Sequence, residues 1–198
     1  MSRSESDSIF QLHTSLKWNH EIWSEIKPVY EDSFPEHIRK PERIIRNMLQ
    51  HMDAFLHVGH IEGQPCSMAL TGLSTDKRLL IIDYMAVSPE QRSQGIGQQT
   101  IAALATWARE THHVDGLLIE AEADDRPEGV HRLRFWLHCG FESTDYIHSY
   151  RWIPEKYRAM TMDLQSEHQR LAHPLSRDGR VLFQQIEAFH KQSYARRS

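Results

Sequence analysis

The run Leu79-Leu80-Ile81-Ile82-Asp83-Tyr84-Met85-Ala86-Val87 is apolar at nearly every position. A strand with one face in water alternates apolar and polar residues. A run without alternation is buried on both faces, as in parallel sheets covered by helices. A second such run, Gly116–Ala123, follows a segment of helical spacing, roughly Gly95–Glu110, with Ile101, Leu104, Ala105 and Ala108 on one side. Strand, helix and strand in that order predict an α/β fold whose central strands run parallel.

The flanks fill in around this centre. A short strand is expected at Ser8–His13. Trp18, Ile22, Trp23, Ile26, Val29 and Tyr30 recur at helical spacing, and Pro28 predicts a kink. Pro41 suits the start of a second helix carrying Ile44, Ile45, Met48, Leu49 and Met52. Ala54–Ile61 and Pro65–Ser74 flank Glu62-Gly63-Gln64 and read as a hairpin. A helix over Glu128–His138 ends at Gly140, and strands are expected near Glu142–Trp152 and Arg158–Leu164. A last amphipathic helix, Asp178–Tyr194, has Val181, Leu182, Ile186 and Phe189 on one face, which needs cover from the domain itself or from a second copy in a homodimer.

Composition excludes several classes. With 198 residues, 39% hydrophobic and 25% charged, the chain holds one domain's worth of core. No apolar run approaches the roughly 20 residues of a membrane span, and the polar stretch Met1–Ser8 lacks the apolar segment of a secretory signal, so a cytoplasmic protein is expected. Cys66 and Cys139 make neither a disulfide framework nor a metal knuckle. His57 and His60, three apart on a strand, point to opposite faces, and His112-His113 follow a helix end where imidazole complements the dipole, so no metal is expected. Residues 151–198 carry nine Lys/Arg against five Asp/Glu, which leaves a balance of −8 on the residues before them. An acidic body of this kind leans towards a cationic partner and away from nucleic acid.

The most informative stretch is the passage from the first buried strand into its helix, Ala86-Val87-Ser88-Pro89-Glu90-Gln91-Arg92-Ser93-Gln94-Gly95-Ile96-Gly97. A helix start exposes backbone N–H groups and the positive end of the dipole, glycines let a phosphate approach the backbone, and Arg92 adds forked donors. A dinucleotide fingerprint requires glycine where Thr100 stands, and a Walker loop requires Gly-Lys-Ser/Thr where Gly97 is followed by Gln98-Gln99. What survives is Arg-x-x-Gly-x-Gly after a strand ending in Ala-Val-x-Pro, which closely resembles the acetyl-CoA pyrophosphate loop of the GNAT superfamily of N-acetyltransferases. Phe135-Trp136-Leu137-His138-Cys139-Gly140-Phe141 also resembles the signature ending that family's fourth helix.

The resemblance covers residues 8–164, about four-fifths of the chain. It implies a GNAT fold over residues 1–164, with a mixed central sheet splayed between its fourth and fifth strands, and a C-terminal helical extension over 165–198. It implies acetyl-CoA as co-substrate, with pantetheine in the splay on the backbone of Met85 and Val87, Ala86 between them. The pyrophosphate is then expected on the amides of Arg92, Ser93, Gln94, Gly95, Ile96 and Gly97. The expected acceptor is a primary amine, on a small cationic molecule or a lysine side chain.

Acetylating an amine requires it neutral, and a primary alkylamine has a pKa of roughly 10. A carboxylate that accepts the proton, directly or through water, therefore suits the site. Asp83 and Glu120 interrupt the two buried strands, which the implied fold makes neighbours at the splay. Alternation groups Asp83 with Met85 and Val87, and Glu120 with Leu118 and Glu122. Glu120 is the preferred base, Asp83 the second choice, and Glu122 an anchor for the ammonium; pairing with a nearby Arg or His is the plainer role for any of them. Asp124-Asp125 with Glu128 could extend an acidic rim. One departure stands out: Trp136 occupies the place of the tyrosine that protonates the departing thiolate in many of these enzymes, and an indole N–H is no acid at neutral pH. Gly129 also replaces a common asparagine. Tyr84, Tyr157 and His131 are candidate substitutes, and an acyl-CoA-binding sensor with weak chemistry is the alternative to an enzyme.

Overall fold

The computed structural model describes residues 9–123, 127–151 and 153–195. Chain order is β1 (Phe10–Ser15), α1 (His20–Ser33), α2 (Glu42–His51), β2 (Ala54–Ile61), β3 (Gln64–Leu73), β4 (Leu79–Val87), α3 (Ile96–His112), β5 (Gly116–Glu122), α4 (Pro127–His138), β6 (Glu142–Ser143), β7 (His148–Ser149), β8 (Lys156–Asp163), α5 (Glu167–Ala172) and α6 (Gly179–Tyr194). They form one sheet in the order β1-β2-β3-β4-β5-β8-β6, with β7 also on β8.

Every pairing is antiparallel except β4 with β5, the two strands without alternation. That parallel ladder is short. It joins Leu79 to Gly116, Leu80 to Leu117 and Ile81 to Leu118, and then the strands diverge although β4 continues to Val87 and β5 to Glu122. This is the splay between the fourth and fifth strands that the family resemblance implied.

Both faces of the sheet are covered. Trp23, Ile26, Ile45, Met48, Phe183 and Phe189, from α1, α2 and α6, pack on one face; Ile101 and Leu104 from α3, and Phe141 just after α4, pack on the other. Asn19 opens α1 by accepting from the Glu21 and Ile22 amides, and α1 runs through Pro28 as one helix.

Four local expectations are corrected. The first strand occupies Phe10–Ser15 rather than Ser8–His13, with Ser8 outside the described residues. The strand expected over Glu142–Trp152 is two two-residue pairings, β6 and β7. The Thr144 amide and hydroxyl both bond to the Ala159 carbonyl, which closes the first ladder, and the chain then leaves for α6, where His148 stacks on Phe183 at 4.2 Å; Trp152 lies outside the described residues. On α6, Val181 is 42% exposed while Phe183 is buried with Leu182, Ile186 and Phe189. That apolar face is covered by the domain's own α2, β5 and β8. Finally, Leu70 pairs with Tyr84 and Thr71 with Ile82, so Asp83 is the extra residue of a β-bulge. The bulge breaks alternation: Asp83 and Tyr84 both reach the α1/α2 side, while Met85 packs with the opposite core.

Candidate active site

At the end of β4 the backbone makes a short 3-10 turn, Pro89–Gln91, and enters α3 through Gly95. Gly95 has φ +78°, a left-handed conformation that costs a side-chain-bearing residue about 1–2 kcal/mol. Ser93 takes the same region at φ 62°. Among the described residues no backbone acceptor meets the amides of Ser93, Gln94, Gly95, Ile96, Gly97 and Gln98; the first amide of the run bonded to the helix is that of Gln99, on the Gly95 carbonyl at 3.0 Å. The Arg92 amide is engaged with the Pro89 carbonyl at 3.4 Å, so the free run begins one residue later than expected. The Arg92 guanidinium bonds to the Val87 carbonyl and the Ser33 hydroxyl, both at 3.1 Å. A Cβ on Gly97 would stand 2.9 Å from Phe135 Cε2, so this turn of α3 meets α4 without room for a side chain. A row of free amides at a helix start fits a pyrophosphate. Beyond Ile81 no strand among the described residues pairs with the β5-facing edge of β4; the Val87 carbonyl is engaged by Arg92, and the stretch Met85, Ala86 and Val87 fits an amide-bearing arm such as pantetheine.

The two acids expected at the splay are there, each two residues past the last pair of the β4–β5 ladder. Asp83 is buried against Lys40, whose ammonium lies 2.7 and 2.8 Å from its two oxygens; the side chains are 2% and 3% exposed. Lys40 Nζ also stands 3.3 Å from His190 Nδ1 and 5.2 Å from the centre of the Tyr84 ring. Glu120, with a quarter of its side chain exposed, lies 2.9 Å from His190 Nε2 and accepts from Tyr150 Oη at 2.7 Å. Burial pushes the Glu120 carboxyl upward, but the contact with His190, by hydrogen bonding and electrostatics, outweighs it together with the hydrogen bond from Tyr150 and the charge of Lys40, and the group is held below the usual carboxylate range.

The remaining candidates separate. Glu122 pairs with Arg132 of α4. The Tyr84 hydroxyl donates to the Ile38 carbonyl at 2.6 Å and accepts from the Lys40 amide; burial and the adjacent Asp83 push its pKa up. Tyr157, on β8 beside Glu122, is pushed up to about 12 by burial and by Glu120 and Glu155. His131 is exposed on α4. Trp136 is wedged edge-on between Phe135 and Phe141. His57 is sealed between Thr14 and Thr71 at 2.8 and 2.9 Å, and His60 turns the other way to Glu25. Asp124 and Asp125 lie outside the described residues. Lys40, Tyr150 and His190 escaped sequence reading; they sit in two connections and on a helix whose periodicity signals only packing.

The sequence profile described as the acetyltransferase (GNAT) family matches residues 19–141, from the residue that caps α1 to the end of the fourth-helix signature. No curated protein matches the chain in sequence. Among solved structures, a ribosomal-protein-S18-alanine N-acetyltransferase from Escherichia coli superimposes with a TM-score of 0.60 at 15% identity, over 79% of this chain and 96% of its own. An acetyltransferase from Bacillus subtilis, in complex with CoA, gives 0.56 at 14% identity, over 79% of this chain and all of its own. A spermidine N-acetyltransferase chimera from Vibrio cholerae gives 0.60 at 9% identity, over 78% and 96%. The profile match spans well over half of the chain, and with the splayed sheet and the free-amide loop it places this protein in the acetyltransferase (GNAT) family.

Proposed function

We propose that the protein transfers the acetyl group of acetyl-CoA directly, in a ternary complex, to the primary amine of a small cationic molecule or a lysine side chain. Bound acetyl-CoA supplies the activated acetyl group as a thioester, held by the Ser93–Gly97 amides and the open edge of β4. The chain's own task is to attract the amine, orient it and take its proton.

Glu120 carries the reading. Of the three acids considered, Asp83 is paired with Lys40 and Glu122 with Arg132, whereas Glu120 meets a histidine and a tyrosine and, among the described residues, no close Lys or Arg ion pair. Its lowered pKa keeps it anionic at neutral pH, so it draws an ammonium group. Taking a proton from a free amine of pKa about 10 is steeply uphill for such a carboxylate. As the nitrogen bonds to the acetyl carbon its acidity rises, and Glu120 accepts the proton then. In this reading Asp83 holds Lys40, and Glu122 with Arg132 forms the rim. The spermidine and alanine acceptors named for two neighbours are also amines, and the charge at Glu120 supports that class here. The test is thiol release from acetyl-CoA against a broad amine panel; turnover with at least one amine is expected.

The packed Trp136 favours a second reading, an acyl-CoA sensor with weak chemistry, because no acid stands at that place in α4. Tight CoA binding with no turnover across the panel would select it.

A further inference from the structure

The C-terminal helix lies beyond the residues matched by the family profile, and its apolar face is fully used in the core. One polar residue of α6 nevertheless reaches the splay. The contacts run from Asp83 through Lys40 and His190 to Glu120 and end at Tyr150. This relay spans β4 and β5 two residues past Ile81 and Leu118, where the backbone ladder has stopped. Lys40 Nζ has only donors and at 3.3 Å is a nearer partner of His190 Nδ1 than Asp83 Oδ1 at 3.8 Å, so Nδ1 accepts from the ammonium. The ring is thereby assigned as the Nε2–H tautomer, and that N–H donates to Glu120 Oε1 at 2.9 Å.

We infer that His190 is a positioning residue: α6 straps the open end of the splay and presents a tautomer-fixed imidazole that aims and holds the Glu120 carboxylate. The inference rests on the assignment of Glu120 given above. A neutral ring suits this work. It hydrogen-bonds the carboxylate without cancelling the charge that an incoming ammonium requires, whereas an imidazolium would place a second cation against Lys40. Tyr150 holds the other oxygen, so the two donors together fix the plane of the carboxylate. The extension beyond the profile is thus part of the active site as well as of the core.

The test uses the full chain with His190→Phe, His190→Gln and Glu120→Gln. Ring nitrogen-15 shifts at neutral pH should report the Nε2–H form for His190, assigned by its loss in His190→Phe; an Nδ1–H or doubly protonated ring overturns the inference. Carbon-13 titration of Glu120, assigned with Glu120→Gln, should move to higher pH in His190→Phe and return towards wild type in His190→Gln, whose amide can donate and accept in the same places. The ionisable groups around Glu120 are Lys40, Asp83, Glu122, Tyr150, Tyr157 and His190, so each variant is titrated over the same range. An unmoved Glu120 titration in His190→Phe also overturns it. With the amine that gives most thiol release in the panel, His190→Phe should lower kcat about 10- to 100-fold, the size of one hydrogen bond to a charged group, with acetyl-CoA affinity unchanged. A wild-type rate in His190→Phe alongside a slow Glu120→Gln defeats this inference alone. A wild-type rate in Glu120→Gln, or no turnover of any amine, defeats the reading beneath it, and the two titrations still decide the role of His190.

Discussion

Lys40→Met is the sharpest probe of how the splay is held. The Lys40 ammonium and Asp83 carboxylate are 3% and 2% exposed and meet at 2.7 and 2.8 Å. Methionine keeps most of the lysine stem and deletes its charge, leaving buried Asp83 with only the His190 ring, 3.8 Å away, in place of its close cation. Breaking a buried pair in this way costs about 3–5 kcal/mol. With a urea slope of about 2 kcal/mol per molar, the unfolding midpoint falls by about 2 M. Asp83→Leu strands the ammonium beside His190 and the Tyr84 ring and falls by a similar amount. Lys40→Met with Asp83→Leu leaves no charge to strand, so the double variant sits well above the sum of the singles, with a coupling of about 2 kcal/mol or more. Urea unfolding followed by tryptophan fluorescence measures all four proteins. Single losses that add to the double within about 0.5 kcal/mol would refute the reasoning, because independent or exposed charges behave that way.

Other predictions follow from the same geometry. Gly97→Leu drives a side chain into Phe135 at the free-amide loop and should weaken acetyl-CoA binding by calorimetry at least tenfold; unchanged binding would remove this loop from the cofactor site. Gly95→Val, forced to φ +78°, should destabilise the fold by about 1–2 kcal/mol in the same urea assay and weaken CoA binding with it. His57 is buried without charge, and burial with the neighbouring His112 takes its pKa from 6.5 to about 3. The depressed folded value means that its contribution is complete above pH 6.5 and lost as pH falls towards 3, when the unfolded chain takes a proton that the folded one refuses. Between pH 6.5 and 5 the wild type should lose about 2 kcal/mol more stability than His57→Gln; equal losses would contradict the assignment.

What the sequence made legible was local in the chain. The unbroken apolar runs gave β4 and β5, and the strand–turn–helix pattern at Val87–Gly97 gave the free amides, because backbone burial and helix starts are written in neighbouring residues. The acids at 83 and 120 were visible for the same reason. Their partners were not. Lys40 and His190 are 150 positions apart and Lys40 and Asp83 are 43 apart, and no spacing rule relates residues brought together only by tertiary packing. The bulge at Asp83 depends on the register of β3, so alternation along β4 alone misassigned Met85. On α6 both Val181 and Phe183 are apolar, and only the shape of the core decides which is buried. The Tyr150 contact depends on the path from β7 to β8, where short pairings replace the long strand that composition suggested.

The central claim is that Glu120 serves the chemistry at the splay while the β4–α3 loop holds acetyl-CoA. Measuring acetyl-CoA affinity and kcat together on Glu120→Gln tests it most directly, since the substitution keeps the side chain's shape and removes its charge and basicity. The account predicts an affinity within about twofold of wild type and a kcat lower by about 100-fold or more, the usual range for a lost acid–base group. Wild-type turnover in Glu120→Gln would contradict it.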